Sequence, residues 1–233
     1  MQGLLLFDKP AGWTSFDAVN FVRKLAAKKI GIPSRRLKVG HSGTLDPFAT
    51  GLLIILVGKK YTARSQELLK LAKSYQATMI LGSNSTTGDP EGEISSPTDI
   101  IPRPSIEQVN KVLNSFIGES MQTPPAYSAI KINGVRAYKL ARDNRPVLPD
   151  ARVINIYRIE LLEYDFPLIK FNVEVSSGTY VRSLVETIGN RLGSVAYTQE
   201  LRRTGIGNYS IFNSTLPEDI NEQTIERLLI ELP

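Results

Sequence analysis

The chain has 233 residues, of which 42% are hydrophobic, and a formal net charge of +5. A chain of this length and composition folds as a globular protein without needing disulfides or metals. Cysteine is absent and His41 is the single histidine, which excludes thiolate nucleophiles, Cys-bound metals and multi-histidine metal sites. No apolar run approaches the ~20 residues that cross a bilayer, and the N-terminal apolar stretch is too short for a signal peptide, so we expect a cytoplasmic protein.

The positive charge is concentrated towards the N-terminus. Residues 1–75 hold 13 Lys and Arg against four Asp and Glu, a net charge of +9, whereas residues 76–233 hold 15 against 19, a net charge of −4. A basic third on a nearly neutral remainder favours a surface that binds a polyanion. The alternative is an ordinary solvated basic face.

Hydrophobic periodicity and turn residues predict alternating strands and helices in the first half of the chain. Thr14 and Asp17 approximate a capping box, and Phe16, Val19, Val22 and Ala26 share one face of the helix that follows. The continuous apolar strand 52–57 is expected to be buried on both faces. The predicted strands are 3–7, 52–57 and 74–81, the helices are 14–29, 62–72 and 105–116, and the loops are 38–51 and 82–104.

The second half begins with an excursion over residues 121–152, where basic residues alternate with tyrosines. This pattern suits a loop that contacts nucleic acid, although an ordinary surface hairpin and short helix is the alternative. Its basic and aromatic residues are Lys131, Arg136, Lys139, Arg142, Arg145, Tyr127 and Tyr138. The strands that follow are predicted at 153–164, 168–176, 197–204 and 206–212, and the helices at 177–192 and 221–231. Because strict βαβ alternation is missing, we expect a single α+β domain over 1–233, built on one mixed, largely antiparallel sheet flanked by helices and loops.

The segment GHSGTLDPFATG at residues 40–51 is the most informative stretch. It places the carboxylate of Asp46 in a glycine-rich loop ahead of a buried strand, five residues after His41. The spacing of its glycines excludes a P-loop, and no G-x-S-x-G nucleophile elbow is present. Taken alone, Asp46 could simply cap the turn before Pro47.

Five strings occur in order: FDKPAGWTS, KVGHSGTLDPFATGLL, KSYQATMILG, SSGTYVRSL and QELRRTGIG. Together they closely resemble the TruB family of bacterial tRNA pseudouridine synthases, from about residue 3 to about residue 216. The resemblance implies the pseudouridine-synthase fold and isomerisation of the T-loop uridine at position 55 of elongator tRNAs. It implies no metal and no cofactor, a T-stem-loop as partner, no membrane, and we expect a monomer.

The resemblance assigns the chemistry to Asp46, Tyr75 and Arg182. A carboxylate near C1′ stabilises or traps a cationic sugar, as in retaining glycosidases, and Asp46 matches the family's catalytic aspartate. Direct attack on C1′ and removal of a sugar proton to give a glycal both stay open. Tyr75 matches the tyrosine that packs on the base and accepts the carbon-5 proton, and Arg182 matches the arginine that pairs with the aspartate. Without the resemblance, Tyr75 would be a core aromatic and Arg182 a solvated residue in the first turn of a helix.

The resemblance also assigns residues that bind the substrate. A target base inside a folded loop must be flipped out, and His41 matches the family histidine that fills the gap. General acid–base catalysis by His41 is the alternative. Tyr180 and Leu201 match positions that line the uridine pocket, while Lys9 and Pro10 would shape its floor beside Tyr75.

The sequence departs from the family pattern at three places. Ser42 replaces a usual threonine, and Ser85-Thr86-Thr87 lacks the acidic residue of the family's T-D-T. The matched strings end near residue 216, so we expect no C-terminal PUA domain. Three other functions stay open: a catalytically idle RNA-binding module of the same fold, a nucleoside or glycoside hydrolase that releases free uracil, and a pseudouridine synthase acting on another RNA.

Overall fold

The computed structural model describes residues 1–95, 103–132, 134–143, 145 and 147–232. Part of the predicted loop 82–104 and three positions of the excursion lie outside these residues. The chain divides into two compact units, Met1–Tyr75 with Arg202–Pro233, and Gln76–Leu201. They are called the first and second units here, and the single catalytic domain over 1–233 stays a prediction.

The elements of the described chain mix strands and helices, as the α+β prediction requires. The strands are β1 Gly3–Lys9, β2 Val39–His41, β3 Thr50–Val57, β4 Lys73–Leu81, β5 Gly118–Gln122, β6 Lys131–Ile132, β7 Val135–Arg136, β8 Arg152–Asp165, β9 Leu168–Val175, β10 Ala196–Ile206 and β11 Tyr209–Ser210. The α-helices are α1 Ser15–Lys29, α2 Lys59–Thr62, α3 Ser65–Leu69, α4 Ile106–Asn114, α5 Ala137–Arg142 and α6 Val181–Arg191. None of the described helices is long and apolar enough to span a membrane.

The first unit is organised around β3. β1 and β2 both pair antiparallel with it, and β10 pairs parallel with its start, at Arg202 opposite Thr50. Seven of the eight β3 residues are buried, which confirms a strand covered on both faces. One face of β1 and β3 packs against α1, and the other face packs against Tyr61, Leu68 and Ile206.

Helix α1 begins where the capping pattern predicts. The Thr14 hydroxyl accepts from the Asp17 backbone N–H at 3.1 Å, and the Asp17 carboxylate accepts from the Thr14 N–H at 2.9 Å. Val19, Val22 and Ala26 are buried as predicted. The prediction for Phe16 is wrong: its ring is 60% exposed, because it lies beside the stripe and under the Arg23 guanidinium instead.

The second unit holds the antiparallel part of the sheet. β9 pairs antiparallel with β8, and β8 pairs antiparallel with β5. Helix α4 contacts β8 and α6. The pairings of the two units together confirm a mixed, mainly antiparallel sheet with helices.

Four predicted elements need correction. The helix predicted at 62–72 is split into α2 and α3, because the Thr62 hydroxyl donates back to Gly58 and Lys59 carbonyls and ends α2 there. The strand pair predicted at 197–204 and 206–212 is one continuous β10 followed by a short β11, which turns at Gly207 rather than Gly205.

The helix predicted at 221–231 is a series of turns. The Asn221 side chain accepts from the backbone N–H groups of Gln223 and Thr224 like a helix N-cap, but the turns that follow do not continue as a regular helix. The segment then ends in a bridge in which Ile230 and Leu4 exchange two backbone bonds of 2.9 Å.

Candidate active site

The loop that carries Asp46 lies between β2 and β3 in the first unit. Asp46 is half-buried, and its carbonyl accepts from the Ala49 N–H at 3.2 Å, which closes a turn over Pro47 and Phe48. The buried Ser15 hydroxyl accepts from the Leu45 N–H at 2.8 Å and donates to the Leu45 carbonyl at 3.1 Å. The residue before Asp46 is therefore fixed to the first turn of α1.

Lys9 anchors the other side of this loop. Its side chain is fully buried, and its ammonium donates to the carbonyls of Pro10 at 2.8 Å, Trp13 at 2.7 Å and Pro47 at 3.1 Å. Three carbonyl dipoles stabilise an ammonium that burial has removed from water. Lys9 thus joins the KPAGW turn to the residue that follows Asp46, which is a more definite role than the pocket floor predicted for Lys9 and Pro10.

His41 ends β2 and leads into the loop. It is half-buried, and its Nδ1 atom is buried with no hydrogen-bond partner among the described residues. Burial lowers the pKa of His41 below its ordinary value, and the nearby Arg203 charge lowers it further, while a hydrogen bond that the imidazole donates to the Gly43 backbone opposes both. A neutral imidazole suits the predicted role of stacking on or beside bases.

Arg203 is a buried residue of this unit that the sequence did not single out. Its guanidinium donates to the Leu52 carbonyl at 2.7 Å and to the Gly43 carbonyl at 3.2 Å, which ties the glycine-rich loop to the start of β3. A Cβ on Gly51 would lie 2.3 Å from the Arg203 carbonyl oxygen, so this close strand pairing requires glycine, whose φ is +104°. The sequence did contain an indication of Arg203: it belongs to the QELRRTGIG string, of which the prediction gave a role only to Leu201.

Tyr75 ends the N-terminal segment of the first unit and is half-buried in β4. Two residues earlier, the nearly buried Lys73 donates to the carbonyls of Leu69 and Leu71. Burial is the main cause that lowers the pKa of Lys73 from its ordinary value of 10.5 to about 8, and the Arg203 charge contributes. Lys73 thereby fixes the turn that leads from α3 into the strand of Tyr75.

Arg182 occupies the centre of a buried polar cluster in the second unit. Its guanidinium donates to the Thr87 carbonyl at 2.7 Å and to the Tyr127 carbonyl at 2.9 Å, and it forms an ion pair with Asp89 at 3.1 Å. Both side chains of the pair are 4% exposed. The alternative that Arg182 is a solvated helix residue is therefore wrong.

Asp89 organises the segment in which the family's acidic residue is missing. Its carboxylate accepts from the Thr87 hydroxyl at 2.5 Å and from the Glu91 N–H at 3.0 Å, and its carbonyl accepts from the Ser85 hydroxyl at 2.5 Å. Burial raises the pKa of the neighbouring Glu186, and the Asp89 charge raises it further, while Arg182 opposes both. Sequence reasoning missed Asp89 because it lies in a polar loop stretch with no periodic pattern.

Tyr180 and Leu201 also belong to the second unit. The Gln122 side chain donates to the Tyr180 carbonyl at 3.0 Å and accepts from its N–H at 2.8 Å, so both backbone groups of Tyr180 are held. The Arg152 guanidinium lies 5.1 Å from the centre of the Tyr180 ring. Leu201 is buried, with 7% of its surface exposed.

The predicted site residues thus fall into two groups. Lys9, Pro10, His41, Asp46 and Tyr75 belong to the first unit, and Arg182, Tyr180 and Leu201 belong to the second. Within the first unit, Lys9 is bonded to the loop of Asp46. The predicted ion pair between Asp46 and Arg182 stays a prediction.

Comparison with known proteins identifies the family. The sequence matches the model of the TruB family pseudouridylate synthase N-terminal domain over residues 28–181. A tRNA pseudouridine synthase B of Clostridium tetani is 45% identical over 230 residues, which cover 99% of this chain and 76% of that protein. A protein of the same name from Parabacteroides distasonis is 42% identical, over 94% of this chain and 92% of that protein.

The chain belongs to the TruB family. It is accordingly a tRNA pseudouridine synthase, an isomerase, as the sequence motifs predict.

Solved structures agree with this assignment. A chain in the crystal structure of a Cbf5-Nop10-Gar1 complex superposes with a TM-score of 0.67 at 30% identity, over 93% of this chain and 53% of that one. A chain of an H/ACA RNP bound to a substrate RNA containing 2′-deoxyuridine gives a TM-score of 0.65 at 28% identity, over 93% and 51%. The TruB chain spans about half the length of each, and the match confirms the pseudouridine-synthase fold.

The excursion over 121–152 presents its cations to solvent. Lys131 and Arg136 flank the hairpin of β6 and β7, and Lys139 and Arg142 follow on α5, all of them exposed. The Arg142 guanidinium lies 5.6 Å from the Tyr138 ring centre. Proteins that bind single-stranded or looped RNA combine such exposed cations, which attract the phosphates, with aromatic rings on which bases stack.

Proposed function

We propose that this enzyme converts the T-loop uridine at position 55 of elongator tRNAs into pseudouridine, with Asp46 as its catalytic carboxylate. The observation that carries the proposal is the fixed Asp46 loop. Lys9 holds Pro47, Ser15 holds Leu45, and the half-buried carboxylate lies between these two anchors. A catalytic group must be held by its surroundings in one geometry, and both neighbours of Asp46 are so held.

The reaction breaks the bond between N1 and C1′ and forms a bond between carbon 5 and C1′. As the first bond breaks, positive charge develops on the sugar, and an ionised carboxylate beside C1′ stabilises or traps it. The leaving uracil spreads its negative charge over two carbonyls and stays in the site, so a second carboxylic acid is not required. After rotation of the base, the proton on carbon 5 leaves, and we propose Tyr75 as its acceptor.

The remaining proposed roles concern the substrate. The target uridine is flipped out of its loop, and the neutral ring of His41 occupies the gap. Tyr180, held at its backbone by Gln122, and Leu201 line the uridine pocket, and Arg182 fixes the polar segment of Thr87 and Asp89. The exposed cations of the excursion bind the T-stem-loop.

We further propose that the chain acts as one catalytic domain, as a monomer, in the cytoplasm. The match of the family motifs along nearly the whole chain supports a single catalytic domain. Cytoplasmic action follows from the substrate, since elongator tRNAs work there. Light scattering of the purified protein at micromolar concentration measures the mass, and a value near 25.8 kDa is expected for the monomer.

The direct test maps pseudouridine in tRNA that lacks modification, before and after incubation with the enzyme. Conversion at position 55 alone supports the proposal. Conversion at another position, or in another RNA only, would replace the proposed substrate. Release of free uracil would show a hydrolase, and tight tRNA binding with no modification at any position would show an idle binding module.

A further inference from the structure

The two ends of the excursion over 121–152 meet at one point of the second unit. Gln122 is the last residue of β5 and Arg152 is the first residue of β8, and the two strands pair with these residues opposite each other. Both side chains contact the connection 176–180, which leads from β9 into α6 and ends at Tyr180. The excursion is therefore joined to Tyr180 at the place where it leaves the sheet and returns to it.

Gln122 holds the backbone of Tyr180. The Gln122 amide donates to the Tyr180 carbonyl at 3.0 Å and accepts from the Tyr180 N–H at 2.8 Å. Gln122 is only 8% exposed, so water competes little for these bonds. The Tyr180 carbonyl also accepts from the Leu184 N–H at 3.1 Å, as the first bond of α6. Gln122 thus fixes the residue at which the helix begins.

Arg152 holds the side chain of Tyr180. Its guanidinium donates to the Gly178 carbonyl and lies 5.1 Å from the centre of the Tyr180 ring, within the range of a cation–π contact. A Cβ on Gly178 would lie 3.3 Å from the guanidinium carbon, and the φ of Gly178 is +90°, so glycine permits this close approach. The Arg152 Nε atom is buried without a hydrogen-bond partner among the described residues. Because a buried N–H without a partner costs stability, stability alone does not explain this placement of the guanidinium.

The connection itself is bonded to the same strand. The Asn155 N–H donates to the Ser176 hydroxyl at 2.8 Å, and the Ser176 N–H donates to the Asn155 carbonyl at 2.8 Å. Since Asn155 fixes the start of the connection and Gln122 fixes its end, the freedom left to Tyr180 is rotation of its side chain. The Arg152 guanidinium lies against the ring and limits that rotation.

We propose that Arg152 is a positioning residue that holds the Tyr180 ring where the flipped uridine binds. The inference rests on the proposed function, which places Tyr180 in the uridine pocket. Arg152 covers one face of the ring and leaves the other face for the base, so it acts on the substrate through Tyr180. Because a misplacement of about 1 Å can cost ~100-fold in rate, the loss of Arg152 lowers the rate of the chemical step more than the affinity for RNA.

The test is a double-mutant cycle in the full chain. Arg152→Met removes the guanidinium and keeps an apolar stem, and Tyr180→Leu removes the ring. Single-turnover rates at saturating T-arm hairpin and dissociation constants for the same RNA are measured for both single variants and the double variant, with circular dichroism to verify folding. Arg158→Met is the control, since Arg158 is an exposed arginine of the same strand that pairs with Glu160.

Arg152→Met is expected to lower the single-turnover rate about tenfold and to leave the dissociation constant within about threefold of the wild type. Tyr180→Leu alone is expected to lose about 30-fold, which leaves a measurable rate. In that background Arg152→Met should cost less than about twofold, because the ring on which it acts is already gone. The control should cost less than about twofold in either background.

Equal losses from Arg152→Met with and without the Tyr180 ring would overturn the inference, since Arg152 would then act independently of Tyr180. A wild-type rate in either single variant would overturn it as well. If Arg152→Met does not fold, Arg152→Lys takes its place in the cycle. It keeps a cation near the ring but not the planar fork, and it should lose about threefold with the same dependence on Tyr180.

The outcomes separate this inference from the proposed function. If the wild-type enzyme modifies no uridine in the T-arm hairpin, the proposed function fails and the inference fails with it. If the wild type modifies the hairpin and the losses from Arg152→Met are equal in both backgrounds, the inference alone fails.

Discussion

The Asp46 loop and the Arg182 cluster are built in different ways. The loop is fixed through its neighbours: Ser15 holds the backbone of Leu45 and Lys9 holds that of Pro47. In the cluster, the predicted functional side chain is itself the structural centre, since Arg182 holds two carbonyls and Asp89. A substitution of Asp46 therefore tests chemistry, whereas a substitution of Arg182 changes folding and chemistry together.

The largest loss of stability is expected for Arg182→Met. It leaves the Asp89 carboxylate without this buried counter-charge and two carbonyls without this donor, and breaking a buried pair from one side costs about 3–5 kcal/mol. Urea unfolding measures the free energy of unfolding. The double variant Arg182→Met/Asp89→Asn should be less destabilised than the sum of the single variants, because the buried charge is removed with its partner. Strict additivity would contradict a coupled pair.

A similar loss, of about 3 kcal/mol, is expected for Lys9→Met in the first unit. The substitution keeps most of the apolar stem but leaves three carbonyls in a buried region without this donor. The exposed Lys24→Met serves as the control and should change stability by less than about 0.5 kcal/mol. If both variants unfold at the same urea concentration as the wild type, the anchoring role of Lys9 is wrong.

Ser15→Ala should cost about 1–2 kcal/mol, because the Leu45 N–H loses its buried acceptor. The same variant should lower the single-turnover rate more than it raises the dissociation constant for tRNA, since it loosens the loop of Asp46. Ser34→Ala, at an exposed position, is the matched control. A rate equal to that of the wild type would show that the loop keeps its geometry without this bond.

A further expected effect is a difference in the pH dependence of stability at Lys73. Its pKa is about 8 in the folded protein and near 10.5 in the unfolded chain, so the unfolded chain binds more protons between these values. The free energy of unfolding of the wild type should therefore rise with pH across this window relative to Lys73→Gln. The exposed Lys70→Gln should follow the wild-type curve. Parallel curves for all three proteins would contradict the lowered pKa.

Sequence reasoning succeeded where the cause of a structure is local. The Thr14–Asp17 cap and the buried strand β3 both follow from residues within a few positions of one another. It failed at residues 221–231, where Asn221 and Thr224 bond to the backbone and Ile230 pairs with β1. That bridge joins residues more than 200 positions apart, which helical periodicity does not detect.

In the candidate site, too, features with a local cause could be predicted and those that depend on distant residues could not. The family motifs indicated Lys9, Asp46 and Arg182, and the structure supplies what holds them. The burial of Arg182 depends on Asp89 and on the Tyr127 carbonyl, which are distant from it in sequence. Arg203, Gln122 and Asp89 were missed because a buried polar residue is recognised only when its partners are known.

The central claim, that Asp46 carries the chemistry, is tested most directly by Asp46→Asn. The substitution keeps the size of the side chain but removes the charge that stabilises or traps the cationic sugar. Single-turnover pseudouridine formation in T-arm RNA should fall by at least about 1000-fold, equivalent to ~4 kcal/mol in the barrier. Binding of the same RNA should stay within about threefold of the wild type. Turnover at a tenth of the wild-type rate or more, with binding intact, would contradict the account.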